Sequence, residues 1–103
     1  MNDEDTAAEV PSVFTLSQNT PNPFNPSTAI AFTLSRSERV HLTVYDALGR
    51  TVAVLAAGNF SAGSHSVRWD GRDTQGNAVS SGVYLYRLEA GGKTETRKML
   101  LAR

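Results

Sequence analysis

His41 and His65 are the only histidines in this chain of 103 residues, and cysteine is absent. Nucleophilic catalysis needs a nucleophile, a base beside it and a third group that orients the base. His65 and Asp70 stand close together, but no serine falls in the Gly-x-Ser-x-Gly turn that presents a nucleophile between strand and helix. Both histidines occupy alternating positions in strand-like runs, the placement expected of a half-exposed sheet face. Paired carboxylates for glycoside hydrolysis need a cleft, which so small a chain is not expected to form. The glycines punctuate hairpins instead of preceding a helix, so there is no phosphate-cradling loop. No catalytic residue is assigned, and the chain is expected not to be an enzyme.

Asp70, Asp73 and Asn77 crowd one polar stretch, and hard oxygen ligands on a loop suit calcium. Arg72 and Thr74 break the EF-hand spacing, and Asp and Asn are also the residues that close turns through bonds to their own backbone. The turn role is therefore preferred, with calcium as the weaker candidate. Trp69, Tyr84 and Tyr86 would serve carbohydrate binding if exposed as a platform; in a small fold such rings are first expected in the core. No cofactor is expected.

Charge narrows the partners. Asp3, Glu4, Asp5 and Glu9 give the first nine residues a charge of −4, and the ten cations and six acids that follow give +4. The cations are scattered, with a mild cluster at Lys93, Arg97, Lys98 and Arg103. A nucleic-acid binder shows a denser basic stripe interleaved with aromatics, so nucleic acid is not expected as a partner. The lack of cysteine excludes a disulfide framework and thiolate chemistry. No apolar run approaches the ~20 residues of a membrane span, and the opening MNDEDTAAEV has neither the basic nor the apolar region of a secretory leader.

The elements that must position these residues are strands. Residues 1–12 are acidic and small and read as a flexible linker; residues 13–103 read as one folded domain. A short edge strand is expected at 13–17. Then Pro21, Pro23 and Pro26 fix φ and remove backbone donors, so residues 18–28 form an ordered crossing between sheets with Phe24 as its apolar anchor. Period-two alternation marks strands at Ile30-Phe32-Leu34, Val40-Leu42-Val44, residues 51–57, His65-Val67-Trp69, residues 83–90 and residues 93–101. Gly49 and the Gly91-Gly92 pair mark hairpin turns, and residues 58–63 are expected to turn. About seven short strands without a helix predict an all-β, Ig-like antiparallel β-sandwich, with a barrel as the structural alternative.

Four ordered blocks carry a resemblance. They are Leu16-Ser17-Gln18-Asn19-Thr20-Pro21-Asn22-Pro23-Phe24-Asn25-Pro26; Val44-Tyr45-Asp46-Ala47-Leu48-Gly49-Arg50-Thr51-Val52; Gly63-Ser64-His65-Ser66-Val67-Arg68-Trp69-Asp70-Gly71-Arg72-Asp73 with Gly76, then Ser81-Gly82-Val83-Tyr84; and Arg97-Lys98-Met99. Together they resemble the type A C-terminal sorting domain of the type IX secretion system, whose fold signature is shared by the Ig-like domain of the flagellar hook-capping protein. The resemblance implies a non-catalytic address on secreted proteins of Bacteroidetes-like bacteria. A cargo domain would be covalently linked upstream. The protein would pass through the periplasm and the outer-membrane translocon to the cell surface or beyond, where a surface peptidase removes the domain. On that reading Lys93, Arg97, Lys98 and Arg103, on the closing strand, form the recognition element, and the strand edge offers backbone groups for strand addition. Two other roles remain open here: an accessory carbohydrate- or calcium-binding module of a large extracellular enzyme, and a structural assembly domain of the hook-capping kind.

Overall fold

Alternation of apolar and polar side chains buries one face of each strand and leaves the other to solvent, and two such layers close a core between them. The computed structural model describes residues 13–103; the expected linker, residues 1–12, lies outside the described residues. Seven strands follow in chain order: β1 (Phe14–Leu16), β2 (Thr28–Leu34), β3 (Glu38–Asp46), β4 (Thr51–Phe60), β5 (Gly63–Trp69), β6 (Gly82–Ala90) and β7 (Lys93–Leu101). They form a three-stranded sheet, β1-β2-β5, and a four-stranded sheet, β4-β3-β6-β7. Every pairing is antiparallel. No helix is present among the described residues, and the chain is an all-β, Ig-like sandwich.

The core follows the sequence alternation. Ile30, Phe32 and Leu34 of β2 face Val40, Leu42 and Val44 of β3, Tyr84, Tyr86 and Leu88 of β6, and Met99 and Leu101 of β7; all are buried. Trp69 lies between Phe24 and Tyr84, with ring centroids 5.6 Å and 5.3 Å away, and its Nε1–H donates to the Arg72 carbonyl at 2.9 Å. Gly91 and Gly92 both have positive φ, +58° and +78°, as a two-residue type I′ turn between twisted strands requires.

Two local expectations are corrected. The turn expected at 58–63 shrinks, because β4 continues through Gly58 and Asn59 to Phe60 in unbroken register with Val40, Arg39 and Glu38. The reason is the Phe60 ring, which packs edge-on against Phe32 at 5.8 Å and His65 at 5.1 Å across the sandwich. Burying an aromatic at the inter-sheet contact outweighs the weak strand preference of one glycine. The proline-rich crossing does not pass between sheets, since β1 and β2 are neighbours in one sheet. It instead drapes over the edge of the other sheet: Phe24 donates to the Leu100 carbonyl at 3.0 Å and accepts from the Ala102 N–H at 2.9 Å.

Candidate functional site

β7 is an edge strand, and the direction of its backbone groups follows from the strap that covers it. The Leu100 N–H donates to Asn22 Oδ1 at 3.0 Å, and the Leu100 carbonyl accepts from Phe24. The Lys98 carbonyl accepts from Gln18 Nε2 at 2.8 Å. Even-numbered residues of β7 therefore face outward, and the C-terminal half of this edge is already occupied by residues 18–24. Strand addition along all of β7 is blocked. Among the described residues, the outward groups around Thr94 and Thr96 are those that lie beyond the strap.

The four cations of β7 and its extension do not form one patch. Lys93 and Arg103 stand at opposite ends of a nine-residue strand, roughly 30 Å apart at strand rise. The Lys93 ammonium lies 5.5 Å from the Phe14 ring centroid. Arg97 points inward along the sandwich side: Nε donates to the Leu16 carbonyl at 3.0 Å, and its guanidinium pairs with Glu95 at 3.1 Å. Arg103 is a clasp, with its N–H bonded to Ser81 Oγ at 2.9 Å, Nε to the Val79 carbonyl at 2.7 Å and Nη2 to the Gly71 carbonyl at 2.7 Å. Of the four, Lys98 presents its charge on the outer sheet face, exposed.

Around Lys98 the outer face is apolar, which was not singled out from the sequence. Val83 is paired in register with Leu100, and Leu85 with Lys98 on one side and Tyr45 on the other. Val83 and Leu100 are 42% and 41% exposed, and Leu48, in the β3–β4 turn at the same end of the sheet, is 78% exposed. The available signal was parity: Leu100 shares the outward phase of Lys98, while Met99 and Leu101 take the inward one. Beside this patch the Arg87 guanidinium sits 4.8 Å from the Tyr45 ring centroid and donates to the Tyr45 hydroxyl.

The other singled-out residues have structural employment. Asp73 Oδ1 accepts from the backbone N–H groups of Gln75 at 3.0 Å and Asn77 at 2.9 Å, closing the 70–77 loop. Asp70 lies 3.7 Å from Arg72. Among the described residues no group of three or more His, Cys, Asp or Glu is arranged to hold a metal ion. His41 Nδ1 is 3.3 Å from the Thr43 hydroxyl and His65 Nε2 is 2.8 Å from the Ser61 carbonyl, so the two imidazoles serve separate sheets. Trp69, Tyr84 and Tyr86 are buried and cannot be a carbohydrate platform. The Tyr86 hydroxyl donates to the Ser17 carbonyl at 2.7 Å, and burial pushes its ionisation above the usual tyrosine range. Asp46 is held below the usual carboxylate range, chiefly by the Arg50 backbone N–H it accepts, together with the Arg50 guanidinium and the Leu48 N–H.

The family model of the FlgD Ig-like domain matches residues 18–94. The basal-body rod modification protein FlgD of Salmonella typhimurium is 40% identical over 48 residues, which are 47% of this chain and 21% of that protein. The chain thus spans about a fifth of the length of the curated relatives it matches. Among solved structures, dimeric latent PorU from Porphyromonas gingivalis superposes with a TM-score of 0.71 and 22% identity over 89% of this chain and 9% of its own. PorZ, described as an essential surface component of the type IX secretion system of the same organism, gives 0.59 and 22% over 84% of this chain and 11% of its own. FlgD from Xanthomonas campestris gives 0.60 and 24% over 85% of this chain and 64% of its own. At these identities the structural likeness is one of fold. The family model, matching three quarters of the chain, settles the membership: the chain belongs to the FlgD Ig-like domain family.

Proposed function

We propose that this sandwich is a non-catalytic docking module read by export machinery: a sorting domain of the type IX secretion system, fused to a cargo that carries whatever chemistry the whole protein performs. The observation that supports this reading is the superposition on PorU and PorZ, in which nearly the whole chain matches about a tenth of each larger protein. The sandwich thus recurs as a small unit within long chains, one of them a named component of that system. The sequence blocks described above point the same way. The surface read by the translocon is the outer face at Lys98, Val83 and Leu100, where a cation with no charge partner among the described residues stands beside exposed apolar side chains; such a patch gives both steering and desolvation on docking. The domain travels through the periplasm and outer membrane and is cut from its cargo at the surface by a peptidase.

A second reading is favoured by the family match itself and by the 48 residues shared with Salmonella FlgD: an assembly module like that of the hook-capping protein. A secretion assay separates the two. Residues 1–103 are fused behind a signal peptide and a fluorescent reporter and expressed in a type IX-competent bacterium and in its translocon-null derivative. Reporter reaching the surface or medium only in the competent strain is the expected result. Reporter held in the periplasm of both strains overturns the sorting reading, and the hook-capping one then stands. Lys98→Glu and Leu100→Asp, checked for an unchanged melting temperature, are expected to retain reporter in the periplasm.

A further inference from the structure

The four sheet edges are guarded unequally. β1 has three residues. β7 carries Lys93, Glu95, Arg97 and Lys98 and is half covered by the strap. β5 carries Arg68 on its exposed phase. β4 has ten residues, TVAVLAAGNF, with no charge and no proline. Charges, prolines, shortness and covering segments are how sheet proteins keep edges from pairing; among the described residues the hydrogen bonds that cover β4 lie at one end, where the Thr74 N–H and hydroxyl donate to the Val52 carbonyl at 3.0 Å and 3.2 Å.

The outward groups of β4 follow from the register. Even-numbered residues of β7 face outward, so its odd-numbered ones bond β6; counting across the ladder, Val40 and Leu42 of β3 bond Gly58 and Ala56. Ala57 and Asn59 then turn their backbone N–H and C=O away from the sheet. The bulge between Leu42 and Thr43 shifts the phase, so that Val52 and Val54 turn outward on its other side. The Thr74 bond to Val52 agrees with this phase. Among the described residues no hydrogen bond reaches the outward groups of Val54, Ala57 or Asn59. Val54, Ala57 and Asn59 are exposed, Val54 by 49%.

We propose that β4 is the edge through which two copies of this domain associate, antiparallel about a two-fold axis between Leu55 and Ala56, joining their four-stranded sheets into one of eight strands. Charge selects the occupant. A charged strand laid here would find no counter-charge on β4 and would lose hydration, so the matching strand is uncharged over the same length, as β4 of a second copy is. In that register Val54 of each copy lies opposite Ala57 of the other, so their outward backbone groups meet and the exposed Val54 side chains are covered; Val52, opposite Asn59, keeps its bond from Thr74, and the pairing ends there. The cations of β7 do not oppose this. They lie three strand spacings from β4, roughly 14 Å, which exceeds the ~8–10 Å screening length at physiological salt. One strand pair per copy is a small interface, so the association is weak and concentration-dependent. The inference stands apart from the sorting reading and uses the opposite edge of the sheet.

Sedimentation equilibrium of residues 1–103 over a concentration series tests it. The expected result is a reversible monomer–dimer equilibrium that Ala57→Lys weakens by more than about tenfold, since the introduced charges are desolvated against an uncharged strand, while Lys98→Glu leaves it unchanged. Val54→Lys is the second edge variant, used if Ala57→Lys lowers the melting temperature. A wild-type protein that stays monomeric throughout the series overturns the proposal. So does a dimer that survives both lysine variants in folded form, because another surface must then hold it.

Discussion

Tyr86 ties a protonation state to the fold. Its ring is fully buried and its hydroxyl bonds the Ser17 carbonyl, so ionisation is opposed mainly by desolvation. The folded-state pKa lies above the unfolded one. Its contribution is therefore complete below pH ~10, where a free tyrosine ionises, and is lost as pH rises from there through the folded value. Urea unfolding as a function of pH is expected to show an alkaline decline that Tyr86→Phe flattens, with Tyr86→Phe itself costing about 1 kcal/mol at neutral pH for the lost hydrogen bond. Asp46 has the opposite sign: its lowered pKa means that its contribution is present above the ordinary carboxylate range and fades as pH falls through the lowered value. An NMR titration is expected to find Asp46 titrating below a free aspartate, with the amide shifts of Leu48 and Arg50 following it. Gly71 is constrained twice, by φ of +74° and by the Arg103 guanidinium 2.7 Å from where a Cβ would stand. Gly71→Ala is expected to cost about 1–2 kcal/mol in thermal or urea unfolding, from the left-handed backbone alone, and more if the Arg103 clasp opens.

Strand β7 shows what alternation can and cannot disclose. Its inward phase puts Met99 and Leu101 in the core and its outward phase puts Lys98 and Leu100 at the surface, and both phases are readable from residue type. The separate employment of the cations is not. Arg97 and Lys98 are neighbours in sequence, yet one bonds the Leu16 carbonyl across the sandwich and the other meets solvent. That distinction depends on which side of the molecule β1 and the strap occupy, and contacts so distant in sequence leave no local pattern. The strap was legible as an ordered proline-rich segment anchored by Phe24, but the edge it covers was not. In the 70–77 loop the Asp73 turn bonds were legible, because Asp and Asn favour such bonds in any context. The two basic neighbours therefore have different expected phenotypes. Arg97→Ala is expected to cost about 1–2 kcal/mol in urea unfolding, since it leaves a carbonyl and Glu95 without their donor. Lys98→Ala is expected to change stability by less than about 0.5 kcal/mol while reducing reporter export. A loss of stability equal to that of Arg97→Ala would place Lys98 in the fold instead of on a docking face.

Across the molecule, the two sheets are held by more than the apolar layer between them. The strap leaves the three-stranded sheet, bonds the backbone of β7 in the four-stranded one, and inserts Phe24, 1% exposed, against Trp69 between them. Near the same end Arg103 joins the far end of β7 to the Gly71 and Val79 carbonyls, on the loop between β5 and β6. On the opposite side Phe60 reaches from β4 to Phe32. Each link passes from one sheet to the other, so neither layer can separate without breaking ties at both sides, and the fold should melt as one unit. Phe24→Ala removes the ring at the centre of the strap and leaves a cavity beside Trp69, with an expected cost of about 3–5 kcal/mol. Urea unfolding followed by tryptophan fluorescence, which reports the strap side, and by far-UV circular dichroism, which reports both sheets, is expected to give coincident transitions for the wild type and for Phe24→Ala. Were fluorescence to change at lower urea than circular dichroism in the variant, the strap side would be opening by itself, and the sheets would be joined by their shared core alone.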